Sequence, residues 1–153
     1  MADFGGEPNL EAFRAEARAW LEANFPPALA GKGVLASAEI STPNPNLAAW
    51  RKAVGSKGWG TPTWPTQYGG GGLSPQEAKA LAQEMAKLGA FNPLMFGMGV
   101  TMIGPTIMDY GTEAQKAKHI PPIVRGEVQW CVGYSEPNAG SDLASLKTRA
   151  VKD

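Results

Sequence analysis

The sequence predicts a mainly α fold: an amino-terminal helical domain followed by the first strand or strands of an incomplete β-domain. Three observations carry that reading. Leu10, Phe13, Ala17, Trp20, Leu21 and Phe25 recur at spacings of three and four, the period of one helix face. Ser74-Pro75-Gln76-Glu77 combines a capping box with proline at the first helical position, which marks a helix start. At Gln129 the pattern changes, because WCVGYS (130–135) is short, apolar and β-prone. The boundary divides residues 1–125, all helical, from 126–153, where a β-domain begins and stops short.

Residues 1–8 read as a loose terminus. The first helix ends at Pro26-Pro27, and burying its five large apolar side chains is worth about 1.5–3 kcal/mol each before entropy. Residues 28–45 look irregular, with Gly31, Gly33, Pro43 and Pro45. A shorter helix is expected from Leu47 to Ser56, ending near Gly58. The segment 59–72 (WGTPTWPTQYGGGG) is a loop whose four glycines lack the Lys-Ser or Lys-Thr of a phosphate cradle, so it reads as a flexible turn. The helix opened by Ser74 should run to Leu88 and stop at Gly89. Residues 94–110 look like a buried helical stretch kinked at Gly104-Pro105. Thr112 caps a further helix that carries Lys116 and Lys118 outward and is tightened or kinked by Pro121-Pro122. Residues 146–152 (LKTRAVK) alternate in a strand-like way.

The 153 residues suffice for one ordinary domain. With 43% hydrophobic and 18% charged residues the chain is globular, and its zero formal charge provides no basic field for nucleic acid or an anionic membrane. Cys131 is the single cysteine, which excludes an intrachain disulfide and fits a reducing interior. No basic and apolar leader opens the chain, so a cytoplasmic location is expected. The uncharged stretch 88–108 is interrupted by Asn92, Pro93, Gly97, Gly99, Gly104 and Pro105. Buried helices broken by a turn explain it better than a membrane span.

The most informative segment is 130–142, WCVGYSEPNAGSD. A short apolar run breaks into a loop of small residues that could lie against a phosphate or a flat ring. Ser135 and Ser141 offer hydroxyls, and Gly140 lets backbone approach a ligand with no side chain in the way. Two short strands joined by this loop would be marginal alone, with open edges. Another chain, or more of this one, is needed to complete such a sheet.

Three segments, in order, resemble the amino-terminal part of an acyl-CoA dehydrogenase. GYSEPNAGSDLASLKTRA (133–150) is similar to the family's Thr/Ser-Glu-Pro and Gly-Ser-Asp motif. KGWGTPTWPTQYGGGGLS (57–74) is similar to its GW, WP, YGG and LS segment, and YGTEAQKAKHIPPIVRGE (110–127) to the helix leading into the motif. The resemblance implies a helical domain, a β-barrel-like middle domain and a last four-helix bundle, with FAD between the latter two. It implies α,β-dehydrogenation of an acyl-CoA substrate, with electrons passed to an electron-transfer flavoprotein. By similarity Val132, Gly133, Tyr134, Ser135, Gly140 and Ser141 run along FAD, with Ser135 bonding the isoalloxazine and Ser141 near the thioester arm. Met98 and Met102, with Met95, would line the acyl pocket as soft walls. A loop hydroxyl with nearby N–H groups polarises a hydride acceptor without reorganisation.

The family's base is a glutamate of the last bundle, so no catalytic residue is assigned here and this stretch alone is expected to be inactive. A homo-oligomer is expected of a full-length protein. Acyl-CoA oxidases and some flavin monooxygenases share the architecture and remain alternatives. So does a non-catalytic helical subunit whose residues 129–152 complete a partner's sheet. Residues 129–153 are expected to fray or pair with a neighbour while 8–125 form a compact helical unit.

Simpler roles are assigned to the remaining chemistry-bearing residues. Glu136 and Asp142 fix the turn by backbone hydrogen bonds and salt links. His119 is a solvated surface residue, and no Cys/His/Asp cluster suggests a metal site. Cys131 is a buried structural thiol. By composition alone the methionines of 95–108 suit a core better than a pocket.

Overall fold

The computed structural model describes residues 7–33, 44–149 and 151–152. Helix α1 (Glu7–Asn24) buries Ala17 and Leu21, with Phe13 and Trp20 at the margin of the same face. It begins inside the expected loose terminus, of which residues 1–6 lie outside the described residues. Pro26 and Pro27 stop it, and a single 3-10 turn (Pro27–Leu29) buries Leu29. Residues 34–43 of the expected irregular stretch also lie outside the described residues.

Helix α2 (Pro45–Lys57) starts two residues before its apolar pattern, because Asn44 is its cap. The Asn44 Oδ1 accepts from the N–H groups of Asn46 and Leu47 at 3.0 and 3.2 Å, and Gly58 ends the helix at φ 74°. Leu47, Trp50 and Val54 are fully buried. Helix α3 (Pro75–Lys87) carries the capping box read from the sequence. Ser74 Oγ accepts from Glu77 N–H, and Glu77 accepts from Ser74 N–H at 2.8 Å. Its inner face packs on α1.

Aromatic rings tie α1, α2 and the segments that follow them together. Trp20 meets Trp59 edge-on at 4.8 Å and Trp50 at 5.8 Å, while Phe25 stands against Trp50 at 5.1 Å. Trp50 also donates its indole N–H to the Phe91 carbonyl at 2.9 Å, so the largest core side chain is polar-satisfied as well as buried.

The four-glycine loop is not the flexible turn expected. The N–H groups of Gly69, Gly70, Gly71 and Gly72 donate to the carbonyls of Thr66, Pro65, Thr61 and Trp64 at 2.9–3.2 Å. A Cβ at Gly70 would sit 2.4 Å from the Trp64 carbonyl oxygen, so close backbone packing requires glycine there. Because these amides are consumed inside the loop, none is left to cradle a phosphate.

After Asn92, whose side chain bonds the Gly60 carbonyl and the Leu94 N–H, the chain forms a π-turn (Gly99–Ile103) running into α4 (Gly104–Tyr110). The wide turn falls just ahead of Pro105, which has no N–H to donate. Helix α5 (Glu113–Val124) has its own capping box, Thr112 with Gln115. It continues through Pro121 and Pro122 although each removes a helix hydrogen bond, because Ile120, Ile123 and Val124 are buried beneath it. Leu94 fits between two loops. A Cβ at Gly60 would lie 2.2 Å from one of its methyls, and one at Gly126 would lie 2.7 Å from the other.

Beyond α5 the expected strands do not form. Among the described residues the N–H groups of 128–135 donate to no backbone carbonyl, and only Glu136 and Ala139 make a bridge. An extended segment without a neighbouring strand has no ladder to join. The 3-10 turn Leu143–Ser145 is the last regular element.

One buried charge was not legible in the sequence. Glu84 on α3 is 1% exposed and accepts from Arg14 (3.1 Å), Arg18 (3.1 Å) and Lys87 (2.7 Å). The Lys87 bond, with those of the two α1 arginines, outweighs burial and holds this carboxyl down at about 2. The cluster joins α1 to α3 at the edge of the aromatic core.

Candidate functional site

Two adjoining features carry the sequence-predicted site. The first is an open apolar cavity of about 290 Å³ between the 93–100 turn, the end of α5 and the segment that follows it. Leu94, Phe96, Met98, Val100, Ile123 and Trp130 are among its walls, with Arg51. Met98 borders this cavity. Met102 and Met95 do not line it.

The expectation that 94–110 is buried needs correction. Met95, Phe96, Met98 and Met102 are 50%, 60%, 43% and 37% exposed, and none of these methionines belongs to the core. Helical spacing shows which side chains favour apolar surroundings, but the described elements cover these residues only in part.

Trp130 joins the cavity to the loop. Its ring packs on the π-turn, where a Cβ at Gly99 would lie 3.0 Å from Trp130 Cδ1. It also meets His119 edge-on at 5.8 Å. Its indole N–H is buried and has no acceptor among the described residues. His119 is accordingly half-buried against a ring rather than a solvated surface residue. No group of three metal-ligating side chains occurs among the described residues. Cys131 is exposed, not the buried thiol expected: neighbours in extended backbone point to opposite sides, and Trp130 takes the inner one. Lys116 does not simply point outward either. It is 19% exposed and pairs with Glu113 at 3.0 Å, while Tyr68 donates its hydroxyl to the same carboxylate at 3.1 Å. Lys116 first and Tyr68 second hold the Glu113 carboxyl below its ordinary value.

The second feature is the loop itself. Val132 is half-buried, whereas Gly133, Tyr134, Ser135, Gly140 and Ser141 are exposed. A Cβ built at Gly133 or Gly140 would meet nothing within 4 Å, so one side of the loop is open at both glycines. Inside the turn Ala139 is buried, and Glu136 and Ala139 exchange N–H···O bonds of 3.2 and 3.0 Å. The Glu136 carboxylate accepts the N–H groups of Lys147 (3.0 Å) and Thr148 (2.7 Å) and the Thr148 hydroxyl. These bonds, the hydroxyl first, pull the Glu136 carboxyl below its ordinary value. Glu136 thus fixes the turn, through hydrogen bonds rather than salt links. Asp142 contributes its backbone carbonyl, which accepts from Ser145 N–H and Oγ, and its side chain makes no capping bond.

These residues suit a flat, polar-edged group such as a flavin. Two side-chain-free positions lie open to it, and two hydroxyls and the free N–H groups of 132–135 supply donors. Sequence reasoning named the loop and missed Trp130, whose link to the cavity appears only once α5 and the π-turn are placed. No described helix is long and apolar enough to cross a membrane.

Comparisons with known proteins agree with this architecture. Residues 7–127 match the family described as acyl-CoA dehydrogenase, N-terminal domain. Acyl-CoA dehydrogenase IpdE1 of Mycolicibacterium smegmatis is 36% identical over 142 residues, covering 92% of this chain and 36% of that protein. The mitochondrial isovaleryl-CoA dehydrogenase of Pongo abelii is 36% identical over 107 residues, 70% of this chain and 25% of that protein. Among solved structures, the Tcur3481-Tcur3483 steroid ACAD superposes with a TM-score of 0.63 at 37% identity, over 99% of this chain and 38% of that one. The ChsE4-ChsE5 complex from Mycobacterium tuberculosis gives 0.62 at 33% identity, over 98% and 36%. The chain thus spans about a third of the length of the first of these curated relatives. From its helical architecture and its match over 7–127, this chain belongs to the acyl-CoA dehydrogenase family and carries that family's N-terminal domain.

Proposed function

We propose that this chain is the helical part of a FAD-dependent enzyme that introduces an α,β double bond into an acyl-CoA thioester. The observation that carries the reading is the junction at Trp130, where an apolar cavity meets a loop with open faces and free donors. In this reading Val132, Gly133, Tyr134, Ser135, Gly140 and Ser141 hold FAD. Ser135 donates its hydroxyl to the ring system, and the open glycines admit it without a side chain between. When bound, FAD supplies the acceptor for the hydride that leaves the β-carbon. Met98 and Met102 face the acyl group, and Ser141 lies toward its thioester arm. The side chains of the 94–102 region keep water from the acyl chain.

The proton-abstracting base is not assigned to any residue of this chain, and these residues alone are proposed to be inactive. Electrons are proposed to leave through an electron-transfer flavoprotein, and the full-length protein to be an oligomer in the cytoplasm. Relatives named for isovaleryl-CoA and for a steroid define the first substrates to try beside straight-chain thioesters.

The test is to express the whole reading frame that contains this chain and record its visible spectrum. Flavin absorbance that bleaches with at least one acyl-CoA, and does so more slowly in Ser135→Ala, is expected. A colourless protein that acquires no flavin on reconstitution would overturn the reading.

A further inference from the structure

We propose that Glu136 is a positioning residue for the flavin loop, clasping the backbone at 147–148 so that Gly140 and Ser141 are held in one closed loop and Ser135 is anchored beside its start. The proposal rests on the FAD reading above. It assigns to Glu136 a task distinct from acid–base chemistry.

The geometry points to Glu136 because little else holds this region. From 128 to 135 no N–H donates to a backbone carbonyl of a described residue, and the exposed residues from 140 onward add only one turn of 3-10 helix. Across that span one carboxylate makes every long-range hydrogen bond. Its Oε2 accepts from Lys147 N–H at 3.0 Å, and its Oε1 from Thr148 N–H at 2.7 Å and from the Thr148 hydroxyl. The partners lie 11 and 12 residues further along, so the clasp closes the whole loop that contains Gly140 and Ser141. At its other end the Glu136 backbone closes the tight turn with Ala139, whose side chain is buried inside.

The donor set suits an anion. Two N–H groups and a hydroxyl converge on a group that ionises to an acceptor with several lone pairs. Among the described residues no Lys or Arg forms a salt bridge with it, so the charge is met by the Thr148 hydroxyl and two backbone dipoles. An amide at this position would turn an NH2 toward an N–H donor. All three contacts also occupy the carboxylate, leaving it unsuited to proton transfer. Its neighbour in sequence is Ser135, and Gly133 and Gly140, the two positions of this loop with open space, stand on either side of it.

The test uses the full-length protein, stripped of flavin and reconstituted with FAD. FAD affinity, the flavin's two-electron midpoint potential and the thermal midpoint are read in wild type, Glu136→Gln and Thr148→Val. Glu136→Gln is expected to weaken FAD binding about ten- to a hundred-fold, the scale of a lost charge-assisted hydrogen bond, and to shift the potential. Thr148→Val, which removes one of three donors, is expected to do the same more weakly. It carries the test if Glu136→Gln does not fold. Unchanged affinity and potential in the folded variants overturn the role of Glu136 alone. A lowered thermal midpoint with unchanged potential and affinity does so too, because it marks a purely structural clasp. A wild-type protein that takes up no FAD overturns the functional reading and the proposal together.

Discussion

Trp64 occupies the space that a side chain at Gly104 would need: a Cβ built there lies 2.1 Å from the indole ring edge. Two opposing effects decide what alanine does at this position. Alanine gains about 1 kcal/mol of helix propensity over glycine, whereas forcing a methyl into packed aromatic carbon costs about 1–3 kcal/mol. Gly104→Ala is therefore expected to lower the urea midpoint. In a Trp64→Ala background the clash with the ring is gone and the Gly99 carbonyl oxygen at 2.9 Å remains, so the same change should cost less. A double-mutant cycle measured by denaturation reads this coupling, and additivity would refute the packing argument.

Glu84 makes stability depend on acid. Its carboxyl binds a proton less readily in the folded protein, at about 2, than at its ordinary value of 4.5. The contribution is complete above pH 4.5 and is lost as pH falls from there towards 2. Urea titrations across that interval should show falling stability in wild type and a flatter dependence in Glu84→Gln. At neutral pH the substitution should cost about 1.5–3 kcal/mol, because charge-assisted bonds to Arg14, Arg18 and Lys87 are replaced by weaker ones. An equal slope in both proteins would remove Glu84 from the account.

Trp50→Phe tests the aromatic core. The smaller ring leaves a cavity beside Phe25 and Trp20, and the Phe91 carbonyl loses its donor. A loss of about 2–3 kcal/mol is expected from the two effects together. A calorimetric midpoint equal to that of wild type would contradict it.

Two glycines should respond in opposite ways. Gly70→Ala meets the Trp64 carbonyl and is expected to cost about 1–3 kcal/mol of stability. Gly133→Ala meets nothing within 4 Å, so stability should stay within about 0.5 kcal/mol of wild type. In the full-length protein Gly133→Ala should instead weaken FAD binding. Normal flavin affinity in that variant would place the ring elsewhere.

The helices were legible because their signals are local. Apolar spacing marked the inner face of α1, and the Ser74–Glu77 pair marked the start of α3 within its own sequence. Asn44 was missed because its cap lies two residues ahead of the first apolar position. Glu84 was missed because a charged residue on a helix reads as solvent-facing until cations from another helix reach it. Four consecutive glycines suggest freedom, yet their amides are held by carbonyls of 61–66, a contact made by folding. The burial expected of 94–110 and of Cys131 failed for a related reason. Apolar character expresses a preference for burial and does not say whether the covering surface belongs to the same segment. The loop at 132–141 was read from its residues. That Trp130 ties it to the cavity wall depends on tertiary packing.

Leu94 occupies volume surrendered at both Gly60 and Gly126, and this has a consequence for how relatives of this chain can vary. Position 126 has φ 67°, so its glycine is demanded by the backbone as well as by space. At position 60 the three atoms nearest to a Cβ all belong to the leucine. A relative with alanine or serine at 60 must therefore carry a shorter side chain at 94, and the two sites should drift through evolution as a pair. An aligned set of relatives in which they vary independently would show that the three-way fit is particular to this sequence.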